Sequence, residues 1–141
     1  MGQIKAINIS ETKGTQKKNI HTCKLIENYG LEGDAHAGDW HRQVSLLSYD
    51  KIVAFNELGA AVQDGDFGEN LVVEGINFRS LAIGTQLTAN EVILEITQIG
   101  KECHQHCQIY HKVGDCIMPR EGVFARVIRG GTLTVGDVMS Y

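Results

Sequence analysis

Positive charge is in short supply: thirteen Lys and Arg against seventeen Asp and Glu leave a formal net charge of -4. No cationic excess is there to neutralise phosphates, so nucleic acid is not an expected partner. Long apolar runs are missing as well. None approaches the roughly 20 residues of a membrane-spanning helix, and Met1 to Ala6 lacks the apolar stretch of a secretion signal, so the expected location is cytoplasmic, away from membranes. Proline occurs once, at Pro119, against sixteen glycines spread along the chain. That balance favours many tight turns between short strands. Disulfide staples are not needed either, because 141 residues with 43% hydrophobic content can close one core on their own. One domain, 1–141, is expected, with its four cysteines free for thiol or metal chemistry.

What is there reads mainly as β, with a few short helices. Gln3 to Ser10 forms a strand with apolar side chains on both faces, as a central strand requires. Glu11 to Asn19 reads as an exposed loop in which Lys17 and Lys18 are a solvated pair, and a second strand follows at about Ile20 to Glu27. Tyr29 to Arg42 has neither helical nor strand periodicity. A polar loop of that length in a compact domain is more often functional than idle, and this one holds Asp34, His36, Asp39, His41, Arg42 and the only tryptophan. Val44 to Leu47 is a short strand. Ser48 then caps a helix running to Leu58 and stopped by Gly59, with Ile52, Val53, Phe55 and Leu58 as its buried stripe. Glu69 and Asn70 sit on a turn before the strand Leu71 to Val73, as a site pair or as turn-formers. Arg79 to Leu81, Gln86 to Thr88 and Glu91 to Thr97 read as three further strands.

Three of the four cysteines and three of the six histidines fall between Gln98 and Arg129, in QIGKECHQHCQIYHKVGDCIMPREGVFARVIR. If Cys103 begins a helix, Cys103, Cys107 and Tyr110 share one face and His104 and His111 another. Two chemistries fit. In one, Cys103, Cys107 and either Cys116 or a histidine hold zinc, as soft ligands prefer. In the other, Lys101 and a helix N-terminus lower the pKa of Cys103 from about 8.5 and make it a nucleophile. Cys116, beside Ile117 and Met118, reads as a small buried apolar residue. In the strand Val123 to Ile128, Arg126 shares a face with Phe124 and Ile128, so its charge needs a partner or an anionic ligand. Gly130-Gly131 reads as a hairpin turn, and Leu133, Val135 and Val138 as a closing strand pair.

GLEGDAHAGDWHRQVSLL at 30–47, FGENL at 67–71, IGTQL at 83–87, and LEITQIGKECHQHC through GVFARVIRGGTLTVGD, in that order, resemble the MOSC domain, the family named for the C-terminal region of molybdenum cofactor sulfurases. The resemblance implies a distorted β-barrel similar to the small barrel domain of pyruvate kinase. It also implies a sulfur-carrier or molybdenum-cofactor-binding role in molybdopterin metabolism, with sulfur held as a persulfide on one cysteine. The donor would be a pyridoxal-phosphate cysteine desulfurase and the recipient a molybdoenzyme or molybdopterin biosynthesis protein; the pyridoxal phosphate belongs to the partner. In many members the cysteine follows a Gln-Pro-Arg-x-Pro-Cys run. The frame here is Gln98-Ile99-Gly100-Lys101-Glu102-Cys103, which carries the sulfur-bearing role to Cys103. Both prolines and the arginine are absent, so Lys101, Arg120 or Arg126 is expected to stand in for the missing cation. Asp34, His36, Glu69 and Asn70 match family motif positions.

The site expected is therefore Cys103 as sulfur carrier with His36 or His104 moving a proton, and Asp34, Arg42, Glu69, Asn70, Lys101, Arg120 and Arg126 around the cofactor. The alternative is a zinc-stabilised, non-catalytic binding module built on Cys103, Cys107 and Cys116 or a histidine. Exposed strand edges would favour a homodimer.

Overall fold

The computed structural model describes residues 1–12, 16–59, 61–63, 65, 67–100 and 122–141. Along the chain come β1 (Gly2–Ile9), β2 (Lys18–Asn19), β3 (Thr22–Ile26), β4 (Gly30–Leu31), β5 (Val44–Ser48), α1 (Tyr49–Glu57), β6 (Leu71–Glu74), a 3-10 turn (Phe78–Ser80), β7 (Gln86–Ala89), β8 (Val92–Ile99), β9 (Val123–Arg129), β10 (Gly131–Thr134) and β11 (Val138–Met139). Seven of the strands pair in the order β11-β1-β6-β5-β9-β8-β7. Thr88 and Ser140 then exchange two backbone hydrogen bonds of 2.8 Å, joining the two ends of that row. The result is the expected distorted barrel. Strands β10, β3 and β4 form a second, three-stranded sheet, and its Cys23, Leu25, Leu31 and Leu133 enter the same core as Ile4, Leu46, Leu71, Leu94 and Val127.

Of the three register shifts in the barrel strands, two set which side chains face outward near the polar loops, and strict alternation does not anticipate either. In β1 the pairing with β6 shifts between Ile4 and Ala6. Ile4 and Ile7 therefore both reach the barrel core, and Asn8 turns away from it. In β8 the pairing with β9 shifts between Ile96 and Gln98, so Gln98 faces Phe124 on the outer surface. An extra residue in one strand has this re-aiming effect.

Outside the barrel wall lies a smaller apolar cluster of Leu47, Phe55, Val62, Phe67 and Phe124. It explains why β5 is buried throughout: Val44 and Leu46 point in, Leu47 points out under α1. The helix itself differs from the expected stripe. Of its residues only Phe55 is buried, while Val53 is 39% exposed and Leu58, just past its end, 72%; short and packed on one side of β5 and β6, it needs no more. Ser48 precedes it as expected but makes no side-chain cap bond.

Three other expectations are overturned. Arg79 to Leu81 is no strand: a 3-10 turn covers Phe78–Ser80, whose Phe78 is buried and tethers it to the core. Gly130-Gly131 is no hairpin, because β9 pairs with β5 and β8 whereas β10 crosses to β3. Nor do the last two strands pair together, since β11 pairs with β1.

Candidate functional site

The cavity that gathers the most family-motif residues sits on the outer face of β5 and β9, at the edge of the small apolar cluster. It is about 130 Å³ and is lined by His36, Trp40, Arg42, Ser45, Phe67, Gly68, Asn70 and Phe124. Ser45 and Phe124 are cross-strand partners and make its floor. The polar loop before β5 makes one wall, and the turn before β6 makes the other.

Behind that wall lies a dry network of charged and polar groups. Lys17 is 1% exposed, against the solvated pair expected from its sequence. Its ammonium donates to Asp34 Oδ1 at 2.6 Å and reaches Ser10 Oγ at 3.4 Å and His36 Nδ1 at 3.0 Å. The physical reason is Asp34: its side chain is wholly buried, and a carboxylate there must have a counter-ion. Ser10 N–H also donates to Asp34 Oδ1 (3.1 Å), and Asn70 Nδ2 donates to Asp34 Oδ2 (3.2 Å). Asn70 gives its other amide hydrogen to Asn8 O (2.9 Å) and accepts from Ser45 N–H (2.9 Å). Its side chain thus stitches β1, β5 and the polar loop together.

Glu69 is buried one step further down. Its two oxygens accept from the backbone N–H groups of Gly65 (3.0 Å) and Phe67 (3.1 Å), closing the turn before β6, and Asn8 Nδ2 approaches at 3.4 Å. The other end of the Asn8 amide, Oδ1, is buried with no hydrogen-bond partner among the described residues. Gly65 stands at φ +85°, and a Cβ there would come within 1.7 Å of Lys17 O. Only glycine lets this turn press on the Lys17 backbone.

The opposite rim is wetter. Arg42 rests its guanidinium 4.9 Å from the centre of the Phe124 ring, and among the described residues its one hydrogen bond runs from Nε to Gln98 Oε1, 3.1 Å. His41 Nε2 meets the same oxygen at 3.0 Å, and the Thr97 hydroxyl donates to His41 O. Farther along β9, Arg126 donates to Asn28 Oδ1 (2.7 Å) and pairs with Asp39 (3.3 Å). That supplies the partner its position on the strand demanded. Trp40 is tied back by Nε1–H to His36 O, 2.8 Å.

Of the residues expected at the site, His36, Arg42 and Asn70 thus come together at the cavity. Asp34 and Glu69 lie beneath it, and Arg126 stands apart in its own pair. Cys103, His104, Lys101 and Arg120 lie outside the described residues, as do Cys107 and Cys116 of the zinc alternative. Among the described residues no three His, Cys, Asp or Glu side chains form a metal-holding group, and no helix is long and apolar enough to cross a membrane. Sequence reasoning missed Lys17, Ser10, Asn8 and Ser45. The one usable signal was indirect: an acidic residue in a loop destined for burial needs a cation from somewhere.

Among solved structures, the fold is similar to the YuaD protein from Bacillus subtilis, at 19% identity and a TM-score of 0.81 over 100% of this chain and 97% of that one. It is also similar to YiiM from Geobacillus stearothermophilus (19%, TM-score 0.74, 99% and 74% covered) and YiiM from Escherichia coli (16%, 0.63, 99% and 70%). No curated protein matches the chain. The family model described as the MOSC domain matches residues 32–140, a span that runs from the polar loop through both walls of the cavity to the strand that closes the barrel. The chain belongs to the MOSC domain family.

Proposed function

We propose that this chain is a sulfur carrier or molybdenum-cofactor-binding domain in molybdopterin metabolism, holding sulfur as a persulfide on Cys103 for delivery to a metal centre. The observation that carries the reading is where the cavity lies. Gly100 N–H donates to Gly122 O at 2.7 Å, so these two residues meet at one point of the barrel wall. Next to that point Gln98 holds Arg42, a lining residue of the cavity. Cys103 follows Gly100 by three residues, a reach of at most about 10 Å.

The lining suits an anion. Among the described residues the fork of the Arg42 guanidinium has no hydrogen-bond partner; it matches phosphate or oxo groups bidentately, and Trp40, Phe67 and Phe124 supply apolar walls. A cavity of about 130 Å³ is below the ~300 Å³ at which ligand pockets usually begin, so it fits the anionic end of a pterin cofactor rather than the whole. Arg42 would hold that end, with His36 beside it; the cofactor, when bound, supplies the metal that accepts sulfur. In the loading step the Cys103 thiolate attacks the outer sulfur of a persulfide on a pyridoxal-phosphate cysteine desulfurase. One S–S bond forms, one breaks, and the donor leaves as a thiolate. A persulfide is more acidic than a thiol and stays nucleophilic near neutral pH, which lets the same sulfur be passed on to a molybdoenzyme or molybdopterin biosynthesis protein.

Cys23 is no rival for the role. It is buried in β3, and burial foremost pushes its thiol pKa up, so it stays protonated and slow to react near neutral pH. Persulfide-selective labelling after exposure to a cysteine desulfurase and cysteine is the test. Label is expected at Cys103, lost in Cys103→Ser and unaffected by Cys23→Ala; equal labelling of the Cys103→Ser protein would sink the reading.

A further inference from the structure

We propose that Lys17 is a positioning residue for His36: its ammonium holds the imidazole as the Nε2–H tautomer, so that His36 meets an occupant of the cavity as a hydrogen-bond donor and not as a base through Nδ1. The argument begins with the ammonium. A charged lysine has three N–H donors and no lone pair, and three acceptors surround this one: Asp34 Oδ1 at 2.6 Å, His36 Nδ1 at 3.0 Å and Ser10 Oγ at 3.4 Å. A neutral lysine would leave the wholly buried Asp34 carboxylate with no counter-ion among the described residues, which burial strongly penalises. Lys17 is therefore the donor in each contact, and Nδ1 of His36 must accept.

An imidazole whose Nδ1 accepts carries its one proton on Nε2. A second proton at Nδ1 would meet the lysine hydrogens head on. Among the described residues, the other groups around the ammonium have partners of their own. Asp34 Oδ2 is taken by Asn70, and Ser10 N–H is committed to Asp34 Oδ1. Arg42, across the cavity, adds a second positive charge to the same space. The ring of His36 lines that cavity, so what it presents there is fixed by a residue that does not line it. A donor next to a cationic fork suits an anion: a persulfide sulfur, or an oxygen of a cofactor phosphate. This last step rests on the function proposed above, whereas the tautomer does not.

The test uses the full-length protein labelled with nitrogen-15. Long-range proton–nitrogen correlation of the six histidines at neutral pH, with His36 assigned through His36→Gln, reads the tautomer directly. His36 should show one bare nitrogen, Nδ1, and one protonated nitrogen, Nε2. Slowly exchanging Lys17 ammonium protons should give a nuclear Overhauser contact to His36 Hε1. In Lys17→Met the pattern should relax towards the tautomer mixture of an exposed histidine such as His21. An Nδ1–H tautomer, or an imidazolium at neutral pH, overturns the proposal, and so does an unchanged His36 pattern in a folded Lys17→Met protein. Should that variant fail to fold with Asp34 uncompensated, the ammonium-to-imidazole contact in the unaltered protein decides: its presence supports the role and its absence overturns it. None of these readouts involves sulfur loading, so a failed persulfide assay and a failed tautomer assignment remain separate results.

Discussion

On one side of the cavity Lys17, Asp34, Asn70 and Ser10 are cut off from water and bound to one another; on the other, Arg42, Gln98, Arg126 and Asp39 stand half or fully in solvent with looser pairings. Both sides carry charge, yet the same ion-pair chemistry has different consequences in the two places. In the dry network each charge has been stripped of water, so each needs its partner and the geometry is over-determined. At the rim, water screens the pairs and their net worth is small. The division of labour follows. The buried side holds His36 and the cavity wall in place, and the rim side leaves the Arg42 guanidinium half-exposed at the cavity.

The sharpest way to break the contrast is Asp34→Ala. It leaves the Lys17 ammonium buried and unpaired, for which a loss of about 3–5 kcal/mol is expected, measured by chemical denaturation. A loss below ~1 kcal/mol would mean that Lys17 swings out to water and that the network is no keystone. Gly65→Ala comes next. Its φ of +85° and the 1.7 Å approach to Lys17 O give at least ~2 kcal/mol of destabilisation, since the positive-φ strain alone costs about 1–2 kcal/mol. The same variant should speed exchange of the Lys17 ammonium protons. Unaltered exchange at lowered stability would show that the turn strains without moving the lysine.

The contrast also divides what the sequence made legible from what it hid. The strands read at Glu91 to Thr97 and Val123 to Ile128 are found by alternation because each buries one face on the core, and they run in the fold over Val92–Ile99 and Val123–Arg129. The family motifs likewise marked Asp34, His36, Glu69 and Asn70, and the polarity of the loop before β5 marked Arg42. What no local pattern carries is depth. Lys17 lies in a polar run indistinguishable from a solvated loop, and the carboxylate that draws it inward is 17 residues away. The bulges in β1 and β8 were hidden for a related reason: one extra residue shifts facing downstream, and only the partner strand shows it. Asp34 and Arg42 therefore read alike as loop charges, although one supports the site and the other is open to it.

Arg42→Ala sharpens the comparison from the wet side. Stability should change by no more than ~1 kcal/mol, the loss of a stacking contact on Phe124 and one hydrogen bond at a half-open position. Anion binding should suffer far more. With molybdate as the probe, calorimetric titration of the full chain is expected to show at least ~10-fold weaker binding, because a charge-assisted hydrogen bond contributes about 1.5–3 kcal/mol. If stability falls by several kcal/mol while binding holds, Arg42 belongs with the buried network and the rim has no free cation.

The smallest effect belongs to Arg126 and Asp39, whose side chains are 40% and 79% exposed at an N···O distance of 3.3 Å. Asp39→Asn should cost no more than about 0.5 kcal/mol, and raised salt should erase even that. The value of the measurement lies in what accompanies it. Arg126 keeps its 2.7 Å bond to Asn28 when Asp39 is neutralised, and Asn28 is in turn held by Gln43, whose Oε1 accepts from Val127 N–H. The loop stays pinned to β9 by bonds that do not involve Asp39, so Trp40 and Arg42 should keep their places and molybdate affinity should match the unaltered protein. A drop in affinity with stability unchanged would mean that the Arg126–Asp39 pair shapes the cavity after all, and the boundary between the structural and ligand-facing charges would have to be drawn farther out along β9.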